Sequence, residues 1–145
     1  MSEFTIGIDP DLDKNGVALV QGKKILDLHA MPFPELLEYA ELWKDKATFI
    51  LEDVNFDKTT YPRKDVSPAG MRKISQDVGK VKGTAYQLFA CLEHMGCNVK
   101  KVQPLRGPVK KRAKDDAEYF NKTFGWKGRS NQDKRDAAML AVLAA

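Results

Sequence analysis

Two periods of apolar residues run along the chain, and the change from one to the other marks out the elements. Residues 4–9, 16–21 and 24–30 alternate or run apolar over strand lengths, with a Gly-Lys-Lys turn between the second and third, so they predict three hairpin-connected strands. The segment PFPELLEYAELWKDK switches to helical spacing, with Leu36, Leu37, Ala40 and either Leu42 or Trp43 on its inner side. TFILEDV follows as a buried strand. NFDKTTYPRKDVSPAGMRK is a polar connection longer than chain reversal requires, which marks it as functional or disordered. From Ile74 to Met95, Val78, Val81, Ala85, Leu88, Phe89 and Leu92 recur at helical spacing, and Gly96 is placed to stop that helix. NVKKVQPL is a fifth strand. GPVKKRAKDDAEYFNKTFG reads as one helix, with Pro108 in its first turn, Val109, Ala113, Phe120 and Phe124 inward, and Gly125 beyond its end. SNQDKRDAAMLAVLAA is the last helix. This order predicts an α/β fold of the ribonuclease H type, a mixed five-stranded sheet flanked by helices.

The 145 residues suit a single domain, 1–145, with a core that needs no staples. No run of eighteen apolar residues and no secretory leader is visible, so a cytoplasmic protein is expected, with no membrane partner. Cys91 and Cys97 have neither metal-knuckle nor bridge spacing and read as buried reduced thiols, while His29 and His94 read as structural or surface residues. The net charge of +4 hides a strong asymmetry: residues 1–57 hold 5 Lys/Arg against 12 Asp/Glu, and residues 58–114 hold 14 against 3. Acidic and basic segments in one domain suit an enzyme that holds cations with carboxylates and grips a polyanion beside them. A solvated helix face would give the same count.

IGIDPDLDKNGVALV, residues 6–20, admits three readings. Asp11, Asp13, Asn15 and Gly16 match the start of a calcium loop, but position twelve of that loop is Gly22 rather than Glu, and a hairpin follows instead of a helix. A phosphate-cradling hairpin of an ATP-binding module is the second reading. The third is a strand whose terminal acid, Asp9, binds a metal for phosphate chemistry.

Asp9 and Glu52 each end an apolar strand, where an ionised side chain is costly unless it is paired or holds a cation. Strands one and four lie side by side in such a sheet, so both acids reach one edge. In the last helix Asp133 and Asp136 share a face. Asp133 also has capping-box spacing from Ser130, which leaves it a structural alternative. Asp136 precedes Leu140 and Leu143 on the expected inward stripe, where an ionised carboxylate needs a partner and no basic residue occupies the stripe. Four converging acids repel one another unless divalent cations intervene. Two Mg²⁺ ions about 4 Å apart would support in-line hydrolysis at phosphorus. An all-oxygen donor set favours Mg²⁺, with Mn²⁺ as a substitute, over zinc.

The stretches IGIDPDLDKNGVALV, ILED, SQDVGKVKGTAYQLFACL and QDKRDAAMLAVLA, in this order, resemble a RuvC-type Holliday junction resolvase of the ribonuclease H-like superfamily, in a phage-like form. The resemblance spans nearly the whole chain. It implies Asp9, Glu52, Asp133 and Asp136 as a metal-binding quartet for two Mg²⁺ per site, and Lys114 as the catalytic lysine on the scissile phosphate. It further implies branched DNA as partner and a homodimer packed along the helix holding Gly79 and Gly83. Lys101, Arg106, Lys110, Lys111 and Arg112 are the expected backbone contacts, supported by Arg63, Lys64, Arg72, Lys73, Lys80 and Lys82 in the same basic segment. Phe56 or Tyr61 would serve as the aromatic that stacks on an opened base.

The chain departs from the family at Asp11, where Gly usually follows the first Asp-Pro, and in an expanded connection after Glu52. The expected activity is therefore a crossover junction endodeoxyribonuclease without a nucleotide cofactor, in a bacterial or phage-infected cytosol. A less selective flap or branched-DNA nuclease is the alternative within that class. An actin- or sugar-kinase-like ATP module, and a DNA-binding domain without catalysis, are the alternatives outside it.

Overall fold

The computed structural model describes residues 3–53 and 67–144, apart from the side chains at 74, 75, 77 and 78. The expected contributions of Phe56, Tyr61, Arg63 and Lys64 lie outside the described residues. Five strands, β1 (Phe4–Asp9), β2 (Asn15–Gln21), β3 (Lys24–Met31), β4 (Ala47–Glu52) and β5 (Asn98–Val102), form one sheet in the order β3-β2-β1-β4-β5. The first three are antiparallel neighbours, whereas β4 runs parallel to both β1 and β5. The α/β ribonuclease H-like arrangement expected from the sequence is the one observed.

Period-two alternation in the strands sends side chains to two separate cores. Ile6, Ile8, Val17, Leu19, Phe49 and Leu51 pack against Leu36 and Ala40 of α1 (Phe33–Trp43) and Leu88 and Leu92 of α2 (Pro68–His94). On the other face Ala18, Val20, Ile25 and Leu28 meet Ala113 of α3 (Pro108–Asp115), Phe120 of α4 (Ala117–Phe124) and the small, apolar face of α5 (Gln132–Leu143). Because β2 is covered on both faces, its GVALV run is apolar at every position. Both cysteines are free; Cys97 is buried and Cys91 half-buried. Among the described residues no helix is long and apolar enough to cross a membrane.

Five local expectations are corrected. The segment 107–125 is two helices, because Asp116 adopts an extended backbone and its carboxylate accepts from the Tyr119 N–H at 3.1 Å, capping a new helix where one continuous helix was expected. Val109, expected inward, is 46% exposed. The α2 helix begins at Pro68, not near Ile74, with the Ser67 hydroxyl accepting from Gly70 N–H. The α5 helix is capped by Asn131, whose side chain accepts from Lys134 N–H at 2.9 Å. Ser130 therefore has no capping role, and the capping-box explanation of Asp133 falls away. Leu143, expected inward, is 49% exposed, while Leu140 is buried as expected.

The position of α5 governs the site. A Cβ at Gly7 would stand 2.1 Å from the Ala137 carbonyl oxygen and one at Gly16 2.3 Å from the Asp133 carbonyl oxygen, so the helix backbone rests directly on β1 and β2. Lys23 donates to the Val142 carbonyl at 2.9 Å and closes the far end of the helix. Seated this way, the first turns of α5 lie over the end of β1.

Candidate active site

Asp9 is the last residue of β1, and the β1–β4 register reaches Ile8 against Leu51, so the next residues, Asp9 and Glu52, are lateral neighbours. Ile8 and Leu51 both enter the first core, which turns Asp9 and Glu52 toward α5. Asp133 and Asp136 come down on Asp9 from that helix. Burial, then the charges of Asp136 and Asp133, then a hydrogen bond with Asp133, raise the Asp9 carboxyl from its ordinary 3.8 to about 8, against the opposing pull of Lys114. Near neutral pH Asp9 therefore holds a proton in this arrangement, which reconciles its close contact with Asp133. Glu52 stands one strand away on the same side of the sheet.

Lys114 Nζ lies 3.0 Å from Asp136 Oδ2, and Lys110 Nζ lies 3.6 Å from Asp136 Oδ1. The two lysines are one helical turn apart on α3, so both reach the same carboxylate. The partner that Asp136 requires is thus supplied by a different helix, which a stripe drawn on α5 alone cannot show. Burial is the largest influence on Lys114 and lowers its pKa, but the hydrogen bond and charge of Asp136, with Asp9 and Asp133, outweigh it and hold the ammonium above its usual value. Lys110, expected on the DNA backbone, is 22% exposed and turned into the site.

Asp136 Oδ1 is buried and makes no hydrogen bond. Among the described residues no three Asp, Glu, His or Cys side chains are grouped so that they could hold a metal ion as they stand. The donor set nonetheless suits a hard divalent cation: carboxylates only, mutual repulsion stored at Asp9, and at Asp136 Oδ1 a buried carboxylate oxygen that has the Lys110 ammonium at 3.6 Å but no hydrogen bond.

The β1–β2 turn argues against the two other readings of residues 6–20. Asn15 is 1% exposed, its side-chain oxygen accepts from Asp11 N–H at 3.1 Å and its amide donates to the Met31 carbonyl, so its oxygen closes the turn instead of waiting for calcium. Gly16, which a phosphate-cradling hairpin would hold open, is covered by the backbone of Asp133.

Of the other expected DNA contacts, Lys111 and Arg112 are exposed on the outer side of α3, with the Arg112 guanidinium 4.1 Å from the Tyr119 ring centroid. Lys101 lies 4.2 Å over the Phe89 ring, away from the carboxylate cluster. Arg106, Arg72, Lys73 and Lys80 are exposed, with Lys82 half-buried. Gly79 and Gly83 face open space: a Cβ at either position would meet nothing within 4 Å. His29 pairs with Asp27 at 2.8 Å and packs its ring against Tyr39, in keeping with a structural residue.

Sequence reasoning missed Arg135. It is 6% exposed, the one charged residue buried to this degree among the described residues. A signal was present: Arg135 lies at helical spacing with Ala138, Met139 and Val142, an arginine on an otherwise apolar stripe.

No protein-family model and no curated protein sequence matches the chain. Solved structures do, and the fold they share with the chain is that of RuvC. A structure of T. thermophilus RuvC in complex with a Holliday junction substrate superposes with a TM-score of 0.53 at 16% identity, covering 96% of this chain and 90% of that one. A second Thermus thermophilus RuvC structure gives a TM-score of 0.51 at 16% identity, over 96% and 91% of the two chains.

Proposed function

We propose that the chain is a metal-dependent, structure-selective DNA endonuclease that resolves four-way junctions by paired phosphodiester hydrolysis. The observation that carries this reading is the convergence of Asp9, Asp133 and Asp136 with Lys114 on a RuvC-like fold. Asp9, Glu52, Asp133 and Asp136 would hold Mg²⁺ or Mn²⁺, two per site. The bound cations would supply an activated water and charge stabilisation at phosphorus.

The chain's own groups have separable roles. Asp136, freed from its lysines, would be one of the carboxylates that hold the cations. Lys114, so released, can bind a non-bridging oxygen of the scissile phosphate from the α3 side. Lys110 adds a second positive charge one turn away, while exposed Lys111 and Arg112 carry the flanking strand. A junction needs two nicks, and a homodimer through α2 would place two such sites on one substrate. The open space at Gly79 and Gly83 supports that use of the helix.

The test is incubation of the purified protein with a labelled immobile four-way junction, with Mg²⁺ and with EDTA. Paired symmetric nicks that depend on the cation are expected. Asp9→Asn, Glu52→Gln and Asp136→Asn should each abolish cutting; binding in EDTA should be unchanged in Asp9→Asn, whose carboxyl already holds a proton there, and equal or tighter in the other two, where a charge that repels phosphate is removed and the side-chain shape kept. Wild-type cutting by Asp136→Asn would defeat the assignment.

A further inference from the structure

Arg135 sits in sequence between two acids of the candidate site, yet its hydrogen bonds go to other residues. Its Nε donates to the Lys114 carbonyl oxygen at 2.9 Å, and its Nη1 donates to the Ser130 carbonyl at 2.9 Å and the Ser130 hydroxyl at 3.0 Å. All three acceptors are neutral oxygens. Burying a guanidinium against neutral groups costs desolvation that a methionine or leucine of similar volume would avoid, so packing alone does not favour arginine here. What arginine adds is a rigid planar fork whose donors leave in fixed directions toward two different segments.

Those two segments carry the chemistry. Lys114 is in the last turn of α3, where carbonyl oxygens lack partners within the helix, and the Arg135 bond occupies the one belonging to Lys114 itself. Ser130 belongs to the loop that leads into α5, three residues before Asp133. The backbone of Lys114 is thereby tied to the same helix that bears Asp136, whose Oδ2 is 3.0 Å from the Lys114 ammonium. A backbone tie and a side-chain ion pair thus join the same two helices, and only the second must break when a cation or phosphate arrives. With the ion pair released, the Arg135 bond is what keeps the base of the lysine in place.

We infer that Arg135 is a positioning residue: it fixes the backbone of Lys114 relative to Asp133 and Asp136, so that the Lys114 ammonium moves from carboxylate to phosphate without its helix shifting. This rests on the nuclease reading of the site.

The test combines Arg135→Gln and Arg135→Lys with Lys114→Ala, in a double-mutant cycle. It reads single-turnover cleavage of a saturating four-way junction in Mg²⁺, junction affinity in EDTA, thermal unfolding, and the NMR signal of the Lys114 ammonium. Arg135→Gln should cut about 100-fold more slowly, the order expected for a misplacement near 1 Å, with affinity within about twofold of wild type. Arg135→Lys, which keeps the charge and one donor, should recover part of the rate. In the Lys114→Ala background Arg135→Gln should cost almost nothing further, and in the single variant the Lys114 ammonium signal should move to that of a solvent-exposed lysine. Equal losses with and without Lys114, or an unmoved Lys114 signal in a folded variant, would overturn the inference. If Arg135→Gln fails to fold, Arg135→Lys decides by the same two readouts. A wild-type protein that cuts no branched DNA would instead remove the nuclease reading, and the Lys114 signal would still decide whether Arg135 holds that residue.

Discussion

The carbonyl oxygen of Asp133 stands 2.3 Å from where a Cβ on Gly16 would begin. A strand glycine and a helix backbone are thus in direct contact beside the acids, and the opposing atom is main chain, which cannot rotate aside. Gly16→Ala should therefore lift the start of α5 and destabilise the fold by about 1–3 kcal/mol, the usual range for overpacking. Urea denaturation checks it. Unchanged stability would mean that α5 does not rest on β2 at this point.

The raised Asp9 carboxyl ties stability to pH when no divalent cation is present. Between about 4 and about 8 the folded protein holds a proton on Asp9 that the unfolded chain has released, so this residue's contribution falls as pH rises through that window. In EDTA, the stability of Asp9→Asn relative to wild type should increase steadily from pH 4 to 8 and level off above it. Denaturation midpoints of the two proteins across that range provide the measurement, and parallel curves would contradict the proposed burial and charge at Asp9.

A cation can use Asp9 only as a carboxylate. Binding of Mg²⁺ at pH 7 should release close to one proton, because Asp9 with a value of about 8 is mostly protonated there, and the release should fade above pH 9. Calorimetry in buffers of different ionisation enthalpy counts the protons. Asp9→Asn should lose this release; release that persists undiminished in the variant would assign it to another group.

Salt dependence should separate the lysines of α3. Lys111 and Arg112 are exposed, whereas Lys110 is turned toward Asp136. Replacing Lys111 or Arg112 by Ala should flatten log K against log salt by about one unit for each phosphate no longer neutralised. Lys110→Ala should leave the slope nearer wild type, since its charge is partly balanced within the protein. A slope lowered most by Lys110→Ala would place that side chain on the DNA instead.

What could be read from the sequence follows from where each signal resides. Asp9 and Glu52 were visible because an acid at the end of an apolar strand breaks a local pattern, and the fold type, with strands one and four side by side, followed from the succession of elements. The split at Asp116 was hidden, because Ala113, Phe120 and Phe124 keep helical spacing across it while the cap depends on one backbone conformation. The start of α2 was hidden inside a polar segment, although Ser67-Pro68 carries the residue types of a helix start. The pairing of Lys110 and Lys114 with Asp136 joins residues more than twenty positions apart on separate helices, and no period within either helix encodes it. Arg135 shows the reverse case: its place on the apolar stripe was readable, but its partners at Lys114 and Ser130 exist only once α3 and α5 have packed.

The docking of α5 on Gly7 and Gly16 also orders events in time. The helix follows β1, β4 and α3 along the chain, so during synthesis the sheet and its first two acids emerge well before Asp133 and Asp136. Until α5 reaches back across the sheet to β1, an emerging chain has the strand acids but lacks the helix acids opposite them. Under the proposed function, a nascent or truncated product without this helix is therefore harmless to the DNA around it, and cutting capacity appears only when the last long-range packing forms.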